Sequence, residues 1–468
     1  MSERPLSFQL AEFAAAVRYE DLPLAVIHSA KERILDTLGI CLAAAAEGLA
    51  DGVIALAERW GGREEAGIVG RAGRFPAPVA AQINGTLAHS LDFDDTHLPS
   101  ILHPSASIVP ATLAAAEASG ASGREAIAAA AVGTELCVRI GLGGMVAGSN
   151  LWFDRGWHAT SICGTLGAAV SAAKLLGLDA AGIAHALGIA ASFASGIIEA
   201  NRTGSSVKRL HCGWAAHSGL NAAFLAQKGY TGPPTVFEGR FGLYTAFLEG
   251  KFDAQAVLAD LGERWELPAI FYKPYPANHY THAGIDAALA IRRRYGPLDV
   301  DQIERIELGV AGPTLRTIGQ PREEKIQPQS GYHAQFSGPF TVATALLGGG
   351  GLGVSFEDFT DEKARDPRLL ALAAKVELYA DPEAEAIYPY QFPAILRVFL
   401  KDGRVLEERV LANRGGPQNP LSPEELRTKF LLNATRLMPA ERAHQLADAI
   451  LALDQHGTPG DLVARARP

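Results

Sequence analysis

Cysteine is scarce. Four residues, Cys41, Cys137, Cys163 and Cys212, are spread through 468 positions with no C-x-x-C spacing, so neither a disulfide framework nor a zinc knuckle is indicated. Long apolar runs are missing as well. Each is broken by glycine or charge short of a membrane span, and the start MSERPLSFQLAEF has no basic segment leading into an apolar one. The sequence therefore predicts a cytoplasmic protein with no membrane partner. Positive charge is in deficit, the formal net charge being −9, which argues against nucleic acid as a partner. Any anionic ligand must then be held by a local basic cluster. Also absent are a G-x-G-x-x-G opening a helix after a strand, G-x-x-x-x-G-K-[ST], G-x-S-x-G and H-E-x-x-H. GLGGMVAG at 141–148 follows a helical pattern and makes a weak dinucleotide site. No repeat of about 30–50 residues points to a solenoid.

What is present is an ordinary globular composition, 48% hydrophobic and 20% charged, in a chain long enough for two domains. Up to about residue 265 the sequence reads as helix after helix. LAVIHSAKERILDTLGICLAAAA, REAIAAAAVGTELCVRIG and WAAHSGLNAAFLAQKGY bring apolar residues back at three- and four-residue intervals, and their Ala and Gly content predicts closely packed helices. The texture changes after ELPAIFYKPYPANHYTH. IERIELGVAG and KVELYAD alternate as strands do, and AILRVFLKDGRVLEERVL reads as a hairpin turning at Asp402-Gly403. Helix returns at FSGPFTVATALLGGGG and again after Ser422, with Pro423 and Glu425 completing a capping-box pattern. The fold class that follows is mainly α: a large all-helical domain built from both chain ends, 1–269 and 412–468, interrupted by a smaller α+β lid domain at 270–411. A ligand site between the two is expected.

Four segments concentrate titratable residues in apolar surroundings. HSLDFDDTHLPSILHPSAS carries Asp92, Asp94, Asp95, Thr96, His97 and His103; Asp92 and Thr96 would share a helix face if the helix ran on. GWHATSICGTLGAAV places His158 just before a helix N-terminus, where backbone N–H groups favour carboxylates. NRTGSSVKRLHCGWAAHSG offers Lys208, Arg209 and His211 beside a glycine–serine loop, and YKPYPANHYTHAG offers Lys273, Tyr275, His279, Tyr280 and His282. Each has a plainer reading: loop or cap duty for Asp94 and Asp95, a solvent-facing His97, an N-cap at Thr160 or Ser161, a solvated turn at Lys208–His211, and hinge packing around Lys273. A divalent metal on the Asp/His cluster is a further alternative. Together the segments supply what proton abstraction next to a carboxylate needs, namely imidazole acids and bases with cations for the developing negative charge.

The blocks LDFDDTH…HPSASIVPATLAAAE, GWHATSICGTLGAAVSAAKLLGLD, SSVKRLHCGWAAHSGLNAAFLAQKGYTGP and KPYPANHYTHAGIDAAL, in that order, resemble the signature blocks of the MmgE/PrpD family. The resemblance covers nearly the whole chain. It implies a helical domain with an α+β lid, usually as a homodimer, and lyase chemistry on a small polycarboxylate with no organic cofactor and no metal. It places His103, His158, Asp92, Lys208 and Lys273 in the catalytic set, with Thr96, His211 and Tyr275 binding substrate; Arg209 and His279, from the polar segments above, are added as substrate-binding candidates. His103 and His158 would handle protons, Lys208 and Lys273 would hold carboxylates, and Asp92 would orient a histidine or hold a substrate hydroxyl. Dehydration of a 2-methylcitrate-like hydroxy acid is the reaction expected first. Decarboxylation of cis-aconitate and epimerisation of an iminodisuccinate-like acid stay open, since HPSASIVP lacks the more polar run associated with the dehydratase. A non-enzymatic carboxylate-binding protein would have no reason to keep the histidines.

Overall fold

The computed structural model describes residues 4–200 and 205–467. The chain forms two compact units, Met1–Ile270 with Phe430–Pro468, and Phe271–Lys429. The fold is mainly α, as the sequence implies.

The first unit is built on helices α1 (Leu24–Ala46), α2 (Ala77–His89), α3 (Ser105–Ser119), α4 (Gly123–Leu142), α5 (Ala159–Leu175), α6 (Ala180–Phe193) and α7 (His211–Gln227). Their ends follow local chemistry. Ser122 accepts from the Glu125 N–H while Glu125 accepts from the Ser122 N–H, a capping box that starts α4. Asp179 accepts from the Gly182 N–H to start α6, and Gly120 at φ +71° ends α3. Small residues then let backbones meet. A Cβ on Gly213 of α7 would lie 2.3 Å from the Gln82 carbonyl oxygen of α2, and one on Gly219 would lie 2.7 Å from the Thr165 carbonyl of α5. This close contact places the last turn of α2, ending in His89, against the first turn of α7, beginning with His211.

In the second unit, helices α8 (His282–Tyr295) and α9 (Gly338–Leu347) pack on a sheet of β1 (Ile303–Val310), β2 (Val376–Ala380), β3 (Ala394–Leu400) and β4 (Val405–Val410). The strand order is β2-β1-β3-β4, with β1 and β2 parallel and the other pairs antiparallel. Asp402-Gly403 turns the β3–β4 hairpin, Gly403 at φ +85°, as the dipeptide predicts. Ile306, Leu308, Phe340 and Val398 lie in the core beneath. Helix α10 (Pro423–Ala434) begins with the expected Ser422–Glu425 box, and the division between the units falls inside it. Helix α11 (Ala440–Leu451) follows. All four cysteines are buried thiols. Among the described residues no single helix is long and apolar enough to cross a membrane.

Candidate active site

The segment after α2 does not continue as helix. Asp92 adopts φ +52°, a left-handed conformation that aspartate tolerates, so Asp92 and Thr96 do not share the helix face that their spacing suggests. The chain instead folds into a tight loop closed by His97 and Leu102, whose backbones exchange hydrogen bonds of 2.8 and 3.3 Å. Asp95 fastens this loop from within. Its carboxylate accepts from Arg33 of α1 at 3.3 Å, from the Ser105 N–H at 3.2 Å and from the Ser105 hydroxyl, while Arg33 also donates to the Ile270 carbonyl. Burial pushes the Asp95 carboxyl up to about 6, against the pull of Arg33. His97 is fully buried rather than solvent-facing: Nδ1 lies 2.7 Å from the Ser100 hydroxyl and Nε2 lies 3.4 Å from Glu266. Desolvation holds it below the ordinary histidine range, and its work is to pin the loop.

Four histidines gather around that loop. His103 Nδ1 is 2.6 Å from the Asp95 carbonyl oxygen and 3.2 Å from the Thr96 hydroxyl. A carbonyl can only accept, so Nδ1 carries hydrogen and Nε2 is the nitrogen whose proton changes. The His103 N–H donates to Thr160 on the first turn of α5, which replaces the N-cap role that the sequence offers Thr160. His158, immediately before α5, sets Nδ1 at 2.9 Å from Nδ1 of His211. Two imidazolium rings would oppose two N–H groups there, and two lone pairs would repel, so the contact holds one proton between the rings. Burial followed by repulsion from His89 lowers both, His158 well below the usual range and His211 to about 4. His89 completes the group, its ring centroid 5.6 Å from those of both His103 and His158. Beside them the Lys208 ammonium donates to Asp92 at 2.9 Å, with little of either side chain exposed.

The lowered histidines have a consequence for stability. A group whose folded pKa is depressed contributes stability above its unfolded value, and that contribution disappears as pH falls through the folded value. His211 therefore stabilises the fold above about 6.5 and loses this effect on acidification towards about 4. Urea unfolding across that window should show a fall in stability that is smaller in His211→Asn; an identical fall in both proteins would count against the buried neutral pair.

Arg209 is half-buried in the helical turn Ser206–Leu210, and the residues Asn201 to Gly204 of the preceding glycine–serine segment lie outside those described. Lys273, Tyr275 and His279 belong to the second unit and are all buried there. The Tyr275 hydroxyl donates to Asp286 at 2.6 Å and accepts from Arg414 at 2.9 Å, and burial pushes Asp286 up to about 6. His279 lies against Phe271, Phe392 and His282. Sequence reasoning did not single out His89 or Arg33 for the first unit's cluster. Only the spacing of His89 to Asp94 within one segment hinted at the former. Among the described residues no group of three or more His, Cys, Asp or Glu is arranged to hold a metal ion.

Comparison with known proteins adds the family. The MmgE/PrpD N-terminal domain matches residues 8–255 and the MmgE/PrpD C-terminal domain matches residues 275–455. A human cis-aconitate decarboxylase is 31% identical over 396 residues, covering 81% of this chain and 77% of that protein. A cis-aconitate decarboxylase-like protein of Aspergillus oryzae is 26% identical over 479 residues, covering 99% and 97%. A mitochondrial 2-methylcitrate dehydratase of Yarrowia lipolytica is 26% identical over 212 residues, covering 43% and 39%. With both family domains matched in order over most of its length, the chain belongs to the MmgE/PrpD family.

Proposed function

We propose that the protein is a cofactor-independent lyase that removes carbon dioxide from an unsaturated tricarboxylate of the cis-aconitate type. The observation that carries this reading is the cluster of His103, His158 and His211 beside the Lys208–Asp92 pair: proton-handling rings next to a cation suited to a carboxylate. When the bond to the departing carboxylate breaks, its electron pair spreads towards a neighbouring carboxylate, and a proton must reach carbon. Lys208 opposes the developing charge. His103, with Nδ1 committed to the Asp95 carbonyl, presents Nε2 as the proton donor, and the His158–His211 pair, neutral at rest, relays a proton through the contact between its two Nδ1 atoms.

Dehydration of a 2-methylcitrate-like hydroxy acid is the second reading, supported by the shorter match to a dehydratase of that name. It uses the same groups, with a histidine taking the proton next to a carboxylate and another protonating the leaving hydroxide. The long coverage by relatives named as cis-aconitate decarboxylases favours decarboxylation. The test is to incubate chelator-treated enzyme with citrate, 2-methylcitrate, cis-aconitate and iminodisuccinate and follow products by NMR. Consumption of cis-aconitate with one equivalent of carbon dioxide is the expected result. Loss of water from the hydroxy acid alone, inversion of iminodisuccinate alone, or no turnover of any acid would overturn it.

A further inference from the structure

The loop that leads into His103 contains a backbone conformation that its sequence does not favour. Ile101, a β-branched residue, sits at φ +55°. Such a side chain rarely enters the left-handed region, and it stays there only where the surroundings over-determine the turn. Within the loop, the Ile101 N–H donates to the Leu98 carbonyl at 3.1 Å, His97 and Leu102 exchange backbone hydrogen bonds, and His97 Nδ1 lies 2.7 Å from the Ser100 hydroxyl. From far along the chain, the Glu266 carboxylate comes to 3.4 Å from the other nitrogen of His97.

Glu266 is itself held in place. Its N–H donates to Glu135 Oε2 at 2.8 Å, and Glu135 Oε1 accepts from Arg139 Nε at 2.6 Å. Arg139, fully buried on α4, also donates to the carbonyls of Ala259 at 2.6 Å and Arg264 at 2.8 Å. A buried ion pair is costly to desolvate and adds little net stability, and this one spends its hydrogen bonds on the backbone of 259–266. All these groups belong to the first unit. A brace for 259–266 alone would need Arg139 and Glu135 but no carboxylate against His97.

We infer that Glu266 is a positioning residue: set by the Arg139–Glu135 pair, it locks His97 and the strained turn at Ile101, which in turn holds His103 against the Asp95 carbonyl. Its effect on turnover rests on the reading of His103 as proton donor. The alignment itself belongs to the substrate-free protein.

The experiment pairs NMR of isotope-labelled, substrate-free protein with steady-state kinetics. The wild type should show a slowly exchanging hydrogen on His103 Nδ1. In Glu266→Ala that signal should exchange faster with water, and kcat should fall about 10–100-fold with KM changed by less than about twofold. Glu266→Gln keeps an oxygen for His97 and should recover most of both. Glycine adopts the conformation of residue 101 without strain, so Ile101→Gly combined with Glu266→Ala should lose less than Glu266→Ala alone. Ser100→Ala removes the hydroxyl on the opposite side of His97 and should speed the same exchange, a readout that stands even if Glu266→Ala does not fold. An unchanged His103 signal in folded Glu266→Ala or Ser100→Ala, no recovery with glutamine, or a double variant as impaired as Glu266→Ala would overturn the assignment. Failure of the wild type to turn over any of the four acids would instead defeat the proposed function and leave the His103 signal to decide.

Discussion

His103→Asn and His158→Asn should each lower kcat by about 10²–10⁴-fold, a loss of about 3–5 kcal/mol of transition-state stabilisation, because each removes a general acid or base. Asparagine preserves part of the local hydrogen bonding. At position 103 its amide can still donate to the Asp95 carbonyl, so the loop should keep its shape while the titrating nitrogen is lost. The two variants should differ in pH dependence. With His103 in place and His158 and His211 both held below the usual histidine range, the wild type should keep its proton-accepting pair neutral well below pH 6.5. Steady-state kinetics across pH will check this. Turnover undiminished in either variant removes that histidine from the chemistry.

Lys208→Gln should cut kcat/KM by about 10²-fold or more, on the scale of breaking a buried, hydrogen-bonded charge pair. It should also destabilise the fold by about 3–5 kcal/mol, because it breaks the 2.9 Å ion pair with buried Asp92. These losses have different origins, and a double substitution separates them. Asp92→Asn with Lys208→Gln replaces the ion pair by two amides and should recover much of the stability while leaving activity low. If activity returned together with stability, Lys208 would serve only to neutralise Asp92, and a carboxylate-binding role for it would be lost. Chemical unfolding and kinetics on the four proteins of this cycle give both readouts.

The contrast between what was legible and what was not runs along the same residues. The helical texture, the Ser422–Glu425 box and the Asp402-Gly403 hairpin rest on neighbours a few positions apart, and these the sequence displays directly. His158 at the start of α5 and Lys208 before α7 were legible for a similar reason, as polar residues at element boundaries. The fastening of the loop was not. Asp95 takes its cation from Arg33, 62 positions away, and His97 finds Glu266 from far along the chain. Such pairings depend on how α1 and α2 pack, which no local pattern encodes. The break after His89 was hidden too, since Asp92 entering the left-handed region cannot be told from aspartate continuing a helix. That single backbone choice turns Asp92 to Lys208 and leaves Asp94 to His89.

The most direct test of the central claim is turnover of cis-aconitate by chelator-treated enzyme in heavy water. The account predicts release of carbon dioxide at a rate unaffected by the chelator and one solvent deuterium on carbon in the product, delivered by an exchangeable histidine proton. Turnover only after addition of iron or magnesium, or a product without solvent deuterium, would contradict it.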